Sequence, residues 1–227
     1  MATVIPPLTM HLLGDFSLLS DDTPVTTMQV ARLQSLLTYL VLHRTAPQAR
    51  SHLAFLLWPD STEAQAHSNL RKVLSQLRQA LPYATHFVSA DRQSLQWQPA
   101  PEVIFTLDVE DFERALARAS QAEQVQDMAG VRQALEQATR LFRGDLLPSC
   151  YDEWILPERD RLHQAFLQAS ERLIDLLEQE RDYAAAIQVA QHLLRHDSLH
   201  EVTYRQLMRL CSLRGDRAAA LRAIHFK

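Results

Sequence analysis

The sequence predicts a mainly helical fold with a small β component, divided in two at residues 99/100. Three observations carry that prediction. Residues 8–97 read in the order small sheet, three helices, hairpin, and a seven-residue pattern near the end of the chain recurs after 34 residues. The charge is also lopsided: of 227 residues with a net charge of −4, the first 100 carry seven basic and six acidic side chains, and the remainder sixteen and twenty-one. The acidic second part is unsuited to a polyanion, so any nucleic-acid contact is expected in the first.

Leu8, Met10 and Leu12 alternate with Thr9 and His11, and Phe16 to Leu19 resumes the extended pattern before the turn-rich Ser20-Asp21-Asp22-Thr23-Pro24. This predicts a small antiparallel sheet. From about Val30 to His43, Leu33, Leu36, Leu37, Leu40 and Val41 fall on one helical face, and Pro47 marks a break. A short second helix is expected over about 51–57, capped by Ser51 and ended by Trp58-Pro59-Asp60.

The third helix, 62–81, can be capped by Ser61 or Thr62, with Gln65 placed as in a capping box. Leu70, Val73, Leu74, Leu77 and Leu81 form its apolar stripe, and Ser68, Lys72, Ser75, Gln76 and Gln79 lie opposite. Periodicity alone fits an ordinary surface helix. Amides, hydroxyls and a cation on one outward face are also the groups that meet base edges in a major groove. Pro82 stops the helix, and Phe87–Ser89 and Ser94–Trp97 flank Ala90-Asp91-Arg92-Gln93 as a hairpin. A sheet, three helices and a hairpin directly behind the third is the order of a winged helix-turn-helix, with Arg92 at the wing tip. That position turns the reading of 62–81 from surface helix to recognition helix.

Pro99, Pro101 and the extended Val103–Asp108 predict a linker, followed by helices at 109–120, 125–142 and 155–179, the last with Leu162, Phe166, Leu173 and Leu177 along one face. Arg181-Asp182-Tyr183-Ala184-Ala185-Ala186-Ile187 then recurs as Gly215-Asp216-Arg217-Ala218-Ala219-Ala220-Leu221, the tetratricopeptide period. Leu193, Leu194, Tyr204, Leu207, Met208 and Leu210 supply larger core residues between the copies. The second copy stops at Ile224-His225-Phe226-Lys227, midway through a helix pair, so the chain is either a fragment of a longer regulator or ends in a truncated cap.

The four glycines, at 14, 130, 144 and 215, form no phosphate-cradling loop, and no serine or cysteine sits in a nucleophile motif. No enzymatic activity and no cofactor are expected. His192, His196 and His200 step by four, but Asp197-Ser198 is expected to end that helix, which takes the third histidine off the face; no metal is expected. Asp152-Glu153 and Glu158-Asp160 are explained by solvation and pairing with Arg159 and Arg161, Trp58 and Trp154 by anchoring between elements, and Cys150 and Cys211 as buried reduced thiols. No apolar stretch approaches the roughly 18 residues that span a bilayer, so a cytoplasmic protein without membrane contact is expected.

The order of elements, with LAFLLWPD leading into NLRKVLSQLRQAL, resembles the OmpR-type winged helix of the Streptomyces antibiotic regulatory protein family. LDVEDFERAL (107–116), LFRGDLLPSCYDEWILPERDRL (141–162) and residues 181–224 are similar to the bacterial transcriptional activation domain that follows it there. The resemblance covers essentially the whole chain. It implies an OmpR-like winged helix at 1–99 and an all-α tetratricopeptide-like activation domain at 100–227. It further implies binding to double-stranded promoter DNA, activation by recruiting RNA polymerase, and commonly a homodimer on direct repeats.

On this reading Ser68, Lys72, Ser75, Gln76 and Gln79 reach into the major groove. Arg71 and Arg78 meet phosphate or guanine, their flank position favouring phosphate. Arg50, His52 and Arg92 hold the backbone. Deleting residues 100–227 is expected to leave DNA binding measurable and to abolish activation. The competing reading is a helical interaction module, or the regulatory N-terminal fragment of a larger signalling protein, whose winged helix has lost DNA binding; the weak net charge and the serine- and glutamine-rich face support it.

Overall fold

The computed structural model describes residues 5–216, which fall into two compact units. The first comprises residues up to Val109 together with Leu146–Glu158, and the second comprises Glu110–Asp145 and the chain from Arg159 onward. The 99/100 division drawn from sequence thus lies inside the first unit. The second copy of the repeat from Arg217, and the chain end at Ile224–Lys227, lie outside the described residues.

In the first unit, β1 (Leu8–His11), β2 (Ser17–Ser20) and β3 (Thr23–Pro24) form an antiparallel meander. The alternation read from sequence is the burial pattern seen: Leu8, Met10 and Leu12 are buried, while Thr9 and His11 are half-buried. The expected linker is instead a strand. β7 (Phe105–Leu107) pairs parallel to β1 and gives the sheet order β3-β2-β1-β7. Periodicity over three residues cannot distinguish a strand from an extended connector, because the pairing partner lies almost a hundred residues earlier.

Three helices follow the meander: α1 (Ala31–Leu42), α2 (Arg50–Leu57) and α3 (Glu63–Ala80). The stripe Leu33, Leu36, Leu37, Leu40 and Val41 is buried as expected. The second helix differs in its start. It begins at Arg50, and Ser51 makes no cap; Ala49 holds that position without a side-chain bond. The reason is the two-residue strand β4 (Gln48–Ala49), which pairs with the hairpin and delivers the chain straight into the helix. The hairpin itself, β5 (Val88–Ala90) and β6 (Ser94–Trp97), closes a three-stranded sheet in the order β4-β6-β5. Trp97 stacks on Phe87 beneath it, ring centroids 5.3 Å apart.

Asp152, expected to pair with Arg159 or Arg161, pairs with Arg32 of α1 instead, within the first unit. Arg161 pairs with Glu113 in the second unit. Trp58 and Trp154 are half-buried anchors: the Arg32 guanidinium lies 5.6 Å from the Trp58 ring, and Trp154 packs edge-on against Tyr39 at 5.1 Å.

The second unit contains α5 (Met128–Leu141), α6 (Leu156–Gln179, from Arg159), α7 (Tyr183–His196), α8 (Glu201–Leu213) and most of α4 (Asp108–Gln124). Ala119, Leu135, Leu173, Leu177, Ala186, Ala190 and Leu210 form its core, with alanines where helices approach closely. Three of its turns have one geometry. Gln126, Arg181 and Gly215 all have positive φ, and each is followed by an aspartate whose amide donates five residues back, to Ala122, Leu177 and Cys211. The first of these turns lacks the alanine run that follows the other two, which is why only two copies are recognisable in the sequence. Asp127 and Asp182 then cap α5 and α7 by accepting from Gly130 and Ala185 amides. Arg132 bridges Glu136, Glu180 and Asp182, and its guanidinium holds the Asp182 carboxyl below the usual carboxylate range.

Candidate nucleic-acid interface

α3 is positioned by its apolar face. Ala66, Leu70, Val73, Leu74 and Leu77 are buried, and the helix packs on α1 and α2. Thr62 caps the start by accepting from the Gln65 amide at 3.4 Å, and Thr27 closes the end by donating to the Ala80 carbonyl at 2.8 Å. The capping box is only half made, because the Gln65 amide group turns forward to Asn69 Oδ1 at 2.9 Å.

At about 100° per residue, Ser68, Lys72, Ser75 and Gln79 run down the centre of the outward face; Gln76 lies on one flank and Arg71 and Arg78 on the other. All seven are exposed. Among the described residues no carboxylate pairs with Arg71, Lys72 or Arg78, in contrast to Arg114, Arg132 and Arg209 in the second unit, each neutralised by neighbouring acids. Unpaired cations beside free amides and hydroxyls are what a polyanion with readable base edges would engage.

The other candidate residues sit on a second feature, the junction of α2 with the hairpin. The Arg50 amide donates to Gln93 O at 2.8 Å, so the first residue of α2 is tied to the hairpin loop, while Arg50 Nε is buried without a partner among the described residues. Arg92 is exposed at the loop tip. Asp91 builds that tip, accepting from the Gln93 and Ser94 amides at 2.6 Å and from Ser94 Oγ at 2.9 Å; these donors hold its carboxyl below the usual range. His52 is exposed on α2, and one ring nitrogen lies 2.9 Å from Tyr39 Oη. The structure therefore gathers seven candidates on one helix face and links Arg50 to the loop that carries Arg92.

Sequence reasoning missed Thr27, Tyr39 and Asp152. Thr27 and Asp152 act on partners 53 and about 120 residues away, for which no local pattern exists. Tyr39 falls within the helical run but outside its stripe of Leu33, Leu36, Leu37, Leu40 and Val41, and it is nevertheless buried.

The histidine series does not assemble a site. His192 and His196 pack against Phe142 and Phe166, His200 lies beyond the end of α7, and no group of three metal-ligating side chains occurs among the described residues. Burial pushes both His192 and His196 below the ordinary imidazole value. Cys150 and Cys211 are buried and unbridged, and burial pushes the Cys150 thiol up. No described helix is long and apolar enough to cross a membrane.

The family profile described as the bacterial transcriptional activator domain matches residues 107–225. No curated protein sequence matches the chain. Among solved structures, Mycobacterium tuberculosis EmbR, determined in complex with a low-affinity phosphopeptide, has a similar fold, with a TM-score of 0.75 at 21% identity. The likeness covers 96% of this chain and 58% of EmbR, so the chain spans little more than half the length of that structure.

Proposed function

The chain belongs to the bacterial transcriptional activator domain family, and from that premise we propose that it is a transcription regulator of the Streptomyces antibiotic regulatory protein type that binds promoter DNA through its first unit. The observation that carries DNA binding is the outward face of α3, exposed along its whole length and free of carboxylate partners among the described residues. A four-stranded sheet, three helices and a hairpin joined to a short strand before the second helix support an OmpR-like winged helix. Ser68, Lys72, Ser75, Gln76 and Gln79 read bases, Arg71 and Arg78 grip phosphates beside them, and Arg50, His52 and Arg92 hold the flanking backbone. The recurring turns before α5, α7 and Asp216 support a tetratricopeptide-like second unit, which engages protein and serves to recruit RNA polymerase. Two protomers on direct repeats would double the contacts.

Selection of duplexes from random DNA by the full chain tests this reading, followed by titration of the Arg71→Ala/Lys72→Ala variant at two salt concentrations. A salt-dependent affinity that the variant weakens is expected. Enrichment of no duplex, or binding indifferent to both salt and the substitutions, would overturn it.

A further inference from the structure

We propose that the Leu146–Glu158 segment is a strap that positions α2 for DNA, with Asp152 and Trp154 acting through Tyr39 on His52. The inference rests on the DNA-binding reading above.

The segment lies far along the sequence from the three helices yet belongs to the first unit. Its grip on α1 is polar and specific. The Asp152 carboxylate accepts both oxygens' worth of Arg32 Nη1 donation, at 2.8 and 3.0 Å, and the Ser35 hydroxyl as well. Trp154 Nε1 donates to the same Ser35 oxygen at 3.4 Å. One turn further along α1, the Trp154 indole meets the Tyr39 ring edge-on, interplanar angle 87°. The His43 ring stacks on Tyr39 at 4.0 Å and 17°, its Nδ1 2.9 Å from the Tyr39 carbonyl.

A tyrosine packed by Trp154 and His43 cannot swing, so its hydroxyl has a fixed direction, toward His52 Nε2. Burial raises the Tyr39 pKa, so the hydroxyl keeps its proton and can donate to Nε2. A donor to Nε2 selects the tautomer with the proton on Nδ1. In that tautomer the exposed ring keeps its Nδ1–H as the donor left for a phosphate contact. The aromatic and polar chain Asp152, Ser35, Trp154, Tyr39, His52 thus runs from the strap to a side chain of α2 without leaving the first unit. Strap residues are positioning residues, since none touches DNA.

The test uses the full chain and a duplex that the wild type selects from random DNA, with Trp154→Ala, Asp152→Asn, Tyr39→Phe, His52→Ala and the Trp154→Ala/His52→Ala double variant. His52→Ala is expected to weaken binding by about fivefold while leaving the salt dependence as it is, because a neutral imidazole N–H neutralises no phosphate. Trp154→Ala and Tyr39→Phe are expected to do the same, and the double variant to bind no more weakly than either single one. Tyr39→Phe retains the ring and its packing, so it carries the test if Trp154→Ala does not fold. Strap variants that melt earlier but bind with wild-type affinity, or singles whose effects multiply in the double, would overturn the strap while leaving the DNA reading standing. A wild-type chain that enriches no duplex overturns the DNA reading and the strap with it.

Discussion

The Asp108 carboxylate accepts the backbone amide of Leu12 with both oxygens at 2.9 Å, across 96 residues of chain. The same group takes the Leu13 amide at 3.0 Å and the Val109 amide at 2.9 Å, and is 3% exposed. Three amide donors can replace the water that a buried carboxylate loses. The contact fixes the end of β1 to the start of α4.

Asp108→Asn should therefore destabilise the chain well beyond a typical surface change. The amide group can accept on one oxygen only and places its own N–H₂ against backbone donors. A loss of about 2–4 kcal/mol is expected from the buried groups left without partners. Urea denaturation of the full chain checks it; a midpoint within error of wild type would remove Asp108 from the account.

On α3, position on the face separates two kinds of loss. Gln79→Ala, on the central line, should relax base preference at one operator position. Arg78→Ala, on the flank, should weaken all sequences alike and lower the salt slope by about one. Repeating duplex selection with each variant distinguishes the two outcomes. A specificity change from Arg78→Ala would move that arginine from phosphate to guanine.

Much of this surface was legible in the sequence, because α3 shows 3.6-residue periodicity over eighteen residues and its outward face needs no distant partner. Leu70, Val73, Leu74 and Leu77 are buried, and Ser68, Lys72, Ser75 and Gln79 exposed, as the spacing predicts. What was not legible depends on long-range pairing. β7 becomes a strand only because β1 lies beside it, Asp152 finds Arg32 rather than its sequence neighbours, and α2 starts early because β4 is paired to the hairpin.

The turns of the second unit allow a stabilising change. Arg181 and Gln126 hold φ of 60° and 58°, where a Cβ is strained, and Gly215 occupies the equivalent place at 85° without that strain. Both side chains are exposed. Arg181→Gly and Gln126→Gly are each expected to stabilise by about 0.5 kcal/mol, the relief of strain outweighing the extra freedom of the unfolded chain. A lowered melting temperature in both variants would contradict the assignment of these turns.

Acid should weaken the second unit through His192 and His196. Burial depresses both in the fold, with Arg195 and, for His196, His192 and His163 adding to it and Asp145 opposing. In the unfolded chain each takes its proton near pH 6.5. Below that value the unfolded state binds protons that the fold excludes, so stability falls as pH drops through and below 6.5, and levels off only once the folded histidines are protonated too. Melting temperatures from pH 7.5 to 5 should show this decline, and His192→Gln/His196→Gln should flatten it. An unchanged slope in the double variant would place the acid sensitivity elsewhere.

Truncation tests how far the first unit depends on chain beyond residue 99. A fragment of residues 1–99 keeps all three helices and the hairpin but lacks β7, Asp108 and the Leu146–Glu158 segment. Met10 and Leu12, now fully buried, would sit at an open sheet edge, and the Leu12 and Leu13 amides would lose their carboxylate. Arg32 and Ser35 would lose Asp152, and Tyr39 would lose the indole packed on it. We therefore expect the fragment to lack a cooperative thermal transition and to bind DNA far more weakly than the full chain, in contrast to what the composition break at Pro99 and Pro101 suggests. Residues 1–109 restore β7 and Asp108 but not the strap, and should recover the transition at a lower temperature. A 1–99 fragment that melts cooperatively and binds a selected duplex as the full chain does would show that the later segments only rest on a unit already complete.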